Sequence, residues 1–153
     1  MKKQLINTKQ LKNMKKQITI IALLMFTATS IINAQNGETK YGYYAGANMD
    51  GSGQNSAFGS TALLNTVTTA YNSAFGFNAM RYVGLGDYNT SIGWEALKET
   101  RDGNYNTGVG YNTQTSYGNA NNQTVIGAGA TGQADNSVTL GNADVTDIYM
   151  SAD

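Results

Sequence analysis

A chain of 153 residues with 18 Gly and no Pro, Cys or His departs from the usage of an ordinary domain. The missing His and Cys exclude Ser-His-Asp triads, thiolate nucleophiles and His-based metal centres. The formal net charge of zero conceals a segregation: residues 1–34 hold six lysines, and the remainder sets four cations against ten acids, a net of −6. That sign excludes the basic stripe a nucleic-acid partner needs.

In chain order, the first feature is a leader. Lys15 and Lys16 precede the apolar run Ile18–Phe26 and a small, polar stretch ending at Ala34, which predicts a signal peptide over 1–34 with cleavage after Ala34. The apolar run is about half of the ~20 residues that cross a bilayer, so no stable membrane span is expected after cleavage. Met14-Lys15-Lys16-Gln17 echoes Met1-Lys2-Lys3-Gln4, which makes Met14 an alternative start of translation. Residues 1–34 are expected to lie outside the folded body, and the polar stretch 35–40 reads as a flexible start. An exported chain without cysteine must be held by packing and pairing rather than by disulfides.

From residue 41 the chain repeats. Asn55-Ser56-Ala57-Phe58-Gly59, Asn72-Ser73-Ala74-Phe75-Gly76, Asn89-Thr90-Ser91-Ile92-Gly93 and Asn106-Thr107-Gly108-Val109-Gly110 place their glycines 17 residues apart, and the same step reaches Gly42 and Gly127. A fixed short period signals a solenoid or an array. With the glycine as position 0, position −1 is Phe58, Phe75, Ile92, Val109 and Ile126, a column of strand formers. Position −2 is Ala57, Ala74, Ser91, Gly108 and Val125, mostly small. Alternation in a strand puts these columns on opposite faces, one filled by large side chains and one permitting close approach.

Strands are therefore predicted near positions −3 to −1, followed by a second short strand or turn carrying Ala62, Ala79 and Ala96 at +3 and Leu63, Met80 and Leu97 at +4. Helices over Ser60–Leu64 or Trp94–Thr100 are rejected, because breakers bound each far short of the ~12 residues a marginal helix needs. The linkers Asn65–Tyr71, Arg81–Tyr88 and Lys98–Tyr105 vary in residue type and read as loops. The column Asn55, Asn72, Asn89, Asn106 has two explanations, an amide ladder between stacked coils or a left-handed turn at the strand entry.

In Asn122–Gly127 and Asn136–Gly141 the asparagine stands one residue earlier, and Gly127 and Gly141 are 14 apart. The segment Asn136-Ser137-Val138-Thr139-Leu140-Gly141 resembles the six-residue head repeat of trimeric autotransporter adhesins of the YadA-like type. The 17-residue phrase is similar to its longer variant in secreted bacterial surface proteins and phage-fibre-like proteins. The resemblance covers about residues 41–150. It implies an all-β, left-handed parallel β-roll (solenoid) over 41–141 whose coils change from 17 to 14 residues. It also implies a homotrimer that presents an adhesive surface, with 142–153 beginning a neck or further C-terminal region.

Little in the chain suits catalysis or cofactors. The pairs Glu95 with Glu99 and Asp144 with Asp147 are the only close carboxylates singled out, against the carboxylate pair a glycosidase needs across a cleft. Gly84-Leu85-Gly86 and Gly127-Ala128-Gly129 lack the rest of a phosphate-loop signature. No enzyme activity, metal or cofactor is expected. Phe77, Trp94 and Tyr111 at position +1 form a candidate stripe for stacking on sugars or meeting a protein, the other reading being packing against linkers or between chains. The expected function is a secreted or surface-displayed fibre head that binds a host, matrix or glycan receptor. The rivals are a polysaccharide-active enzyme on a monomeric β-helix and a monomeric surface-binding solenoid.

Overall fold

The computed structural model describes residues 8–28, 33–35, 37–51, 53–66 and 68–150. Met1–Ile31 and Ile32–Asp153 are separate units. The first contains α1 (Thr8–Ala28), which takes in Lys15, Lys16 and the apolar run, a stretch rich in the straight-chain residues that lose little freedom in a helix. Among the described residues no helix is long and apolar enough to cross a membrane.

The second unit is a β-solenoid. Its strands are β1 (Asn33–Gln35), β2 (Glu38–Tyr41), β3 (Ser56–Phe58), β4 (Ser73–Phe75), β5 (Thr90–Ile92), β6 (Thr107–Val109), β7 (Gln123–Ile126) and β8 (Ser137–Leu140), neighbours in chain order within one sheet. β1 pairs antiparallel with β2, and every later pair is parallel. Ala57 pairs with Ala74 and Ala74 with Ser91, a step of one repeat, whereas Val125 pairs with Thr139 across the shorter coil. The predicted strand positions and the change of period are both present. The N-terminal boundary differs: Asn33 and Ala34 belong to the sheet, and the stretch read as a flexible start contains most of β2. Glu38 and Lys40 take the register positions that Asn55 and Ala57 hold one coil later, and Lys40 Nζ pairs with Glu38 Oε2 at 3.0 Å while the buried Glu38 Oε1 has no partner among the described residues.

The two faces of the strands are assigned by burial. Ala57, Ala74, Ser91 and Val125 are 0% exposed, while Phe75, Ile92 and Ile126 are 41–46% exposed. In the single chain the small column thus faces the core, and the large column faces out. The reason is the volume left by the rest of the coil. Leu63, Met80 and Leu97 enter the core from the turn after each glycine and are fully buried. A Cβ on Gly108 would lie 2.5 Å from Leu97 Cγ, so the strand contributes only small side chains to a core the turns already fill. The linkers contribute as well: Thr66, Val83 and Thr100 are 0% exposed, an inward column hidden by the residue change from Thr to Val.

The segments after the glycines are turns, as their length required, yet they stack like strands. Leu63 N donates to Ala79 O at 3.1 Å, Met80 N to Ala96 O at 3.0 Å and Leu97 N to Thr113 O at 2.8 Å. The glycine column permits this turn twice over. Gly76 has φ 138°, and a Cβ there would sit 2.2 Å from Gly93 O, so both the backbone region and the coil spacing exclude a side chain. Two residues later the chain is left-handed again at Thr61 (φ 58°), Asn78 (56°), Glu95 (54°) and Asn112 (48°). A β-branched residue is the least suited to that region, and asparagine is among the best. Thr61→Asn is expected to raise stability by about 1 kcal/mol, read as a higher midpoint in urea, because the amide can still donate to Asn78 Oδ1 as Thr61 Oγ1 does.

Candidate functional site

The frame of the candidate site is a buried amide ladder. Asn55 Oδ1 accepts the N–H of Asn72, Asn72 Oδ1 that of Asn89, Asn89 Oδ1 that of Asn106, and Asn106 Oδ1 that of Gln123, at 2.9–3.0 Å. The other end of each amide donates across the coil: Asn72 Nδ2 to Gly86 O at 2.9 Å, Asn89 Nδ2 to Gly103 O at 2.8 Å and Asn106 Nδ2 to Ala120 O at 2.7 Å. Of the two explanations for this column, the ladder is present. The left-handed turn belongs to the preceding residue, at Tyr71, Tyr88 and Tyr105 and then at Asn122 and Asn136. The asparagine that moves earlier after Gly110 therefore occupies the tyrosine's place, and Gln123 ends the ladder, its N–H on Asn106 Oδ1 and its side chain turned to Ser116.

A second ladder escaped the sequence reading. Asp87 Oδ1 accepts the N–H of Ala70, Asn104 Oδ1 that of Asp87, Asn121 Oδ1 that of Asn104, and Asp135 Oδ1 that of Asn121. The signal was available as Asp or Asn two residues before Asn89, Asn106, Gln123 and Ser137, though not before Asn55 or Asn72. The Asn121 N–H, then the Tyr117 hydroxyl, hold the Asp135 carboxyl below its ordinary value of 3.8. A depressed folded pKa gives stability that is present above the unfolded pKa and lost as pH falls through the folded one. Asp135→Asn keeps the acceptor and removes the titration. The variant is expected to melt with a flatter pH dependence below about pH 4, checked by thermal scans against the wild type.

These ladders hold the outward face of the sheet. On it Phe58 stacks on Phe75 at 4.9 Å between ring centroids, beside Ile92, Val109, Ile126 and Leu140 in the same column. One flank carries Tyr71, Tyr88 and Tyr105, stacked at 4.8 and 5.1 Å. The other carries Phe77, Trp94 and Tyr111, stacked at 6.0 and 5.0 Å. Ring spacings follow the strand spacing of about 4.8 Å, so one coil repeat sets both. Desolvation of Tyr88, then the neighbouring Tyr71 and Tyr105, push its hydroxyl pKa up.

From the second coil onward, positions −5 to +1 contain no charged residue: Gln54–Ser60, Tyr71–Phe77, Tyr88–Trp94, Tyr105–Tyr111 and Asn122–Ala128 are uncharged throughout. The charges collect on the turns and linkers. Glu95 pairs with Lys98 and Glu99 with Arg101, and Asp102 and Arg101 line a groove of about 480 Å³ with Tyr82, Asn65 and Glu99. Neither candidate carboxylate pair is aimed at a common point: Glu95 and Glu99 take different partners, and Asp147 accepts from Thr146.

The structure places the predicted residues in four roles. Asn55, Asn72, Asn89 and Asn106 form the ladder; Gly59, Gly76, Gly93, Gly110, Gly127 and Gly141 turn the chain; and Phe58, Phe75, Ile92, Val109, Ile126 and Leu140 face out. Phe77, Trp94 and Tyr111 do align as a stripe, but Trp94 has both ring faces covered by its neighbours. Trp94 therefore offers only its edge, a surface that suits packing against protein better than sugar stacking, while Phe77 and Tyr111 end the stack. Comparison of the chain with protein families, curated proteins and solved structures finds no match to any of them.

Proposed function

We propose that this chain is the head of a secreted or surface-displayed fibre, a structural and binding protein rather than a catalyst, assembled as a parallel homotrimer. The observation that carries the proposal is the uncharged outward face, with its central apolar column between two aromatic ladders. Charged residues are depleted and aromatics enriched at the centres of protein interfaces. Copies that each carry −6 after the leader can approach only through a neutral surface. The columns run coil by coil, so parallel copies about a common axis set equal heights against one another, and a closed ring avoids open-ended growth.

In that arrangement the charged turns and linkers point away from the axis, where a host, matrix or glycan receptor is met. The leader would export the chain. The resemblance of 41–150 to YadA-like heads supports the same reading. Sedimentation of the chain is the test. A species of three times the single-chain mass, which is 16.3 kDa with the leader attached, is expected, and a stable monomer at micromolar concentration would remove both the trimer and most of the adhesin analogy.

A further inference from the structure

One carboxylate oxygen on the turn face has two partners of a particular kind. Glu95 Oε1 accepts from Lys98 Nζ at 3.1 Å and from Asn78 Nδ2 at 3.0 Å. It thereby holds an amine beside a carboxamide from the adjacent coil. Asn78 is 4% exposed. Its Oδ1 accepts from the Thr61 hydroxyl and faces the Arg81 guanidinium, with Nη1 at 3.5 Å. An amine, a carboxylate, a carboxamide and two donors to the carboxamide oxygen are thus joined by one chain of hydrogen bonds, the groups that acyl transfer requires.

We propose that Lys98 and Asn78 are the site of an intramolecular isopeptide bond, formed through Glu95. Glu95 takes a proton from the Lys98 ammonium, and the freed amine attacks Asn78 Cγ. The carbonyl electron pair moves to Oδ1, where Thr61 and Arg81 receive the charge. As the tetrahedral centre collapses, the Cγ–Nδ2 bond breaks, Glu95 returns its proton to the departing nitrogen, and the second amine proton leaves with it as ammonium. A Cγ–Nζ amide remains, with no oxidant or cofactor consumed. The link would fasten the coil of Gly76 to the coil of Gly93. A chain expected to be exported without a single cysteine would gain by it the covalent closure that disulfides supply elsewhere.

The test is the intact mass of the folded wild-type chain, with its N-terminus read by peptide mapping. A mass about 17 Da below the sequence sum is expected from loss of ammonia. In the tryptic digest Lys98 should be protected, and peptide 41–81 should be joined to 82–101. Lys98→Arg keeps the ion pair and should restore the full mass, whereas Asn78→Asp should lose about 18 Da, as water, instead. Wild-type protein with a native circular-dichroism spectrum, full mass and free tryptic cleavage after Lys98 would overturn the proposal, whatever the oligomeric state.

Discussion

Asn89→Ala is expected to lower stability by roughly 4 kcal/mol, a large share of what a domain of this size possesses. Asn89 is 0% exposed. Its Oδ1 accepts from both the backbone and the side-chain nitrogen of Asn106, and its Nδ2 donates to Gly103 O and Asn72 Oδ1. Alanine leaves a buried N–H and a buried carbonyl without partners, each at a cost of about 1–3 kcal/mol, and opens a void besides. Asn104→Ala provides the control. Asn104 makes comparable bonds to Asp87 and Asn121 in the second ladder, but it is only part-buried, so water replaces what is lost and about 1 kcal/mol is expected. Urea unfolding of both variants checks the difference. Equal losses would show that burial does not set the ladder's worth.

The period, the strand positions and the shortened final coil were legible because identical coils place identical constraints on residues one repeat apart. A glycine recurs at every step from Gly42 to Gly127, and from Gly42 to Gly110 it leaves room for the carbonyl of the next coil, so a reader of sequence needs nothing else to find the step. Which face is inside was not legible. A strand with Phe at one position and Ala at the next conventionally buries the Phe, since burial of large apolar groups dominates. Here the core volume is taken by Leu63, Met80 and Leu97, which are themselves left-handed, a conformation that Asn78 and Asn112 signal but that leucine and methionine do not.

Two other features were hidden for related reasons. The inward linker column of Thr66, Val83 and Thr100 mixes hydroxyl and isopropyl side chains of similar shape, and the variation looked like that of a loop. Thr66 satisfies its hydroxyl on Leu63 O, which lets a polar residue occupy a core position. The stretch at residues 35–40 looked polar and flexible because Glu38 and Lys40 are charged. They pair with each other, and Lys40 Nζ also reaches Met49 O, so both charges have partners within the coil.

The assignment of faces turns into a prediction about two substitutions that conventional reading would rank the other way. Ala74→Leu puts three more carbons at a site that is 0% exposed, between Ala57 and Ser91 in register. The coil cannot widen without breaking its backbone bonds to both neighbours, and the loss is expected at roughly 3 kcal/mol or more. Ile92→Asp places its charge on the outward column, where the single chain leaves Ile92 46% exposed. The lone coil should lose less than about 1 kcal/mol and keep its far-ultraviolet spectrum. In the proposed trimer the same change would set three carboxylates against one another in a dry contact, where unpaired charge is strongly unfavourable. Sedimentation should therefore show Ile92→Asp as a folded monomer, while Ala74→Leu unfolds at lower urea in any state of association. An Ile92→Asp chain that stays trimeric would move the contact off this face, and one that unfolds outright would place the large column inside after all.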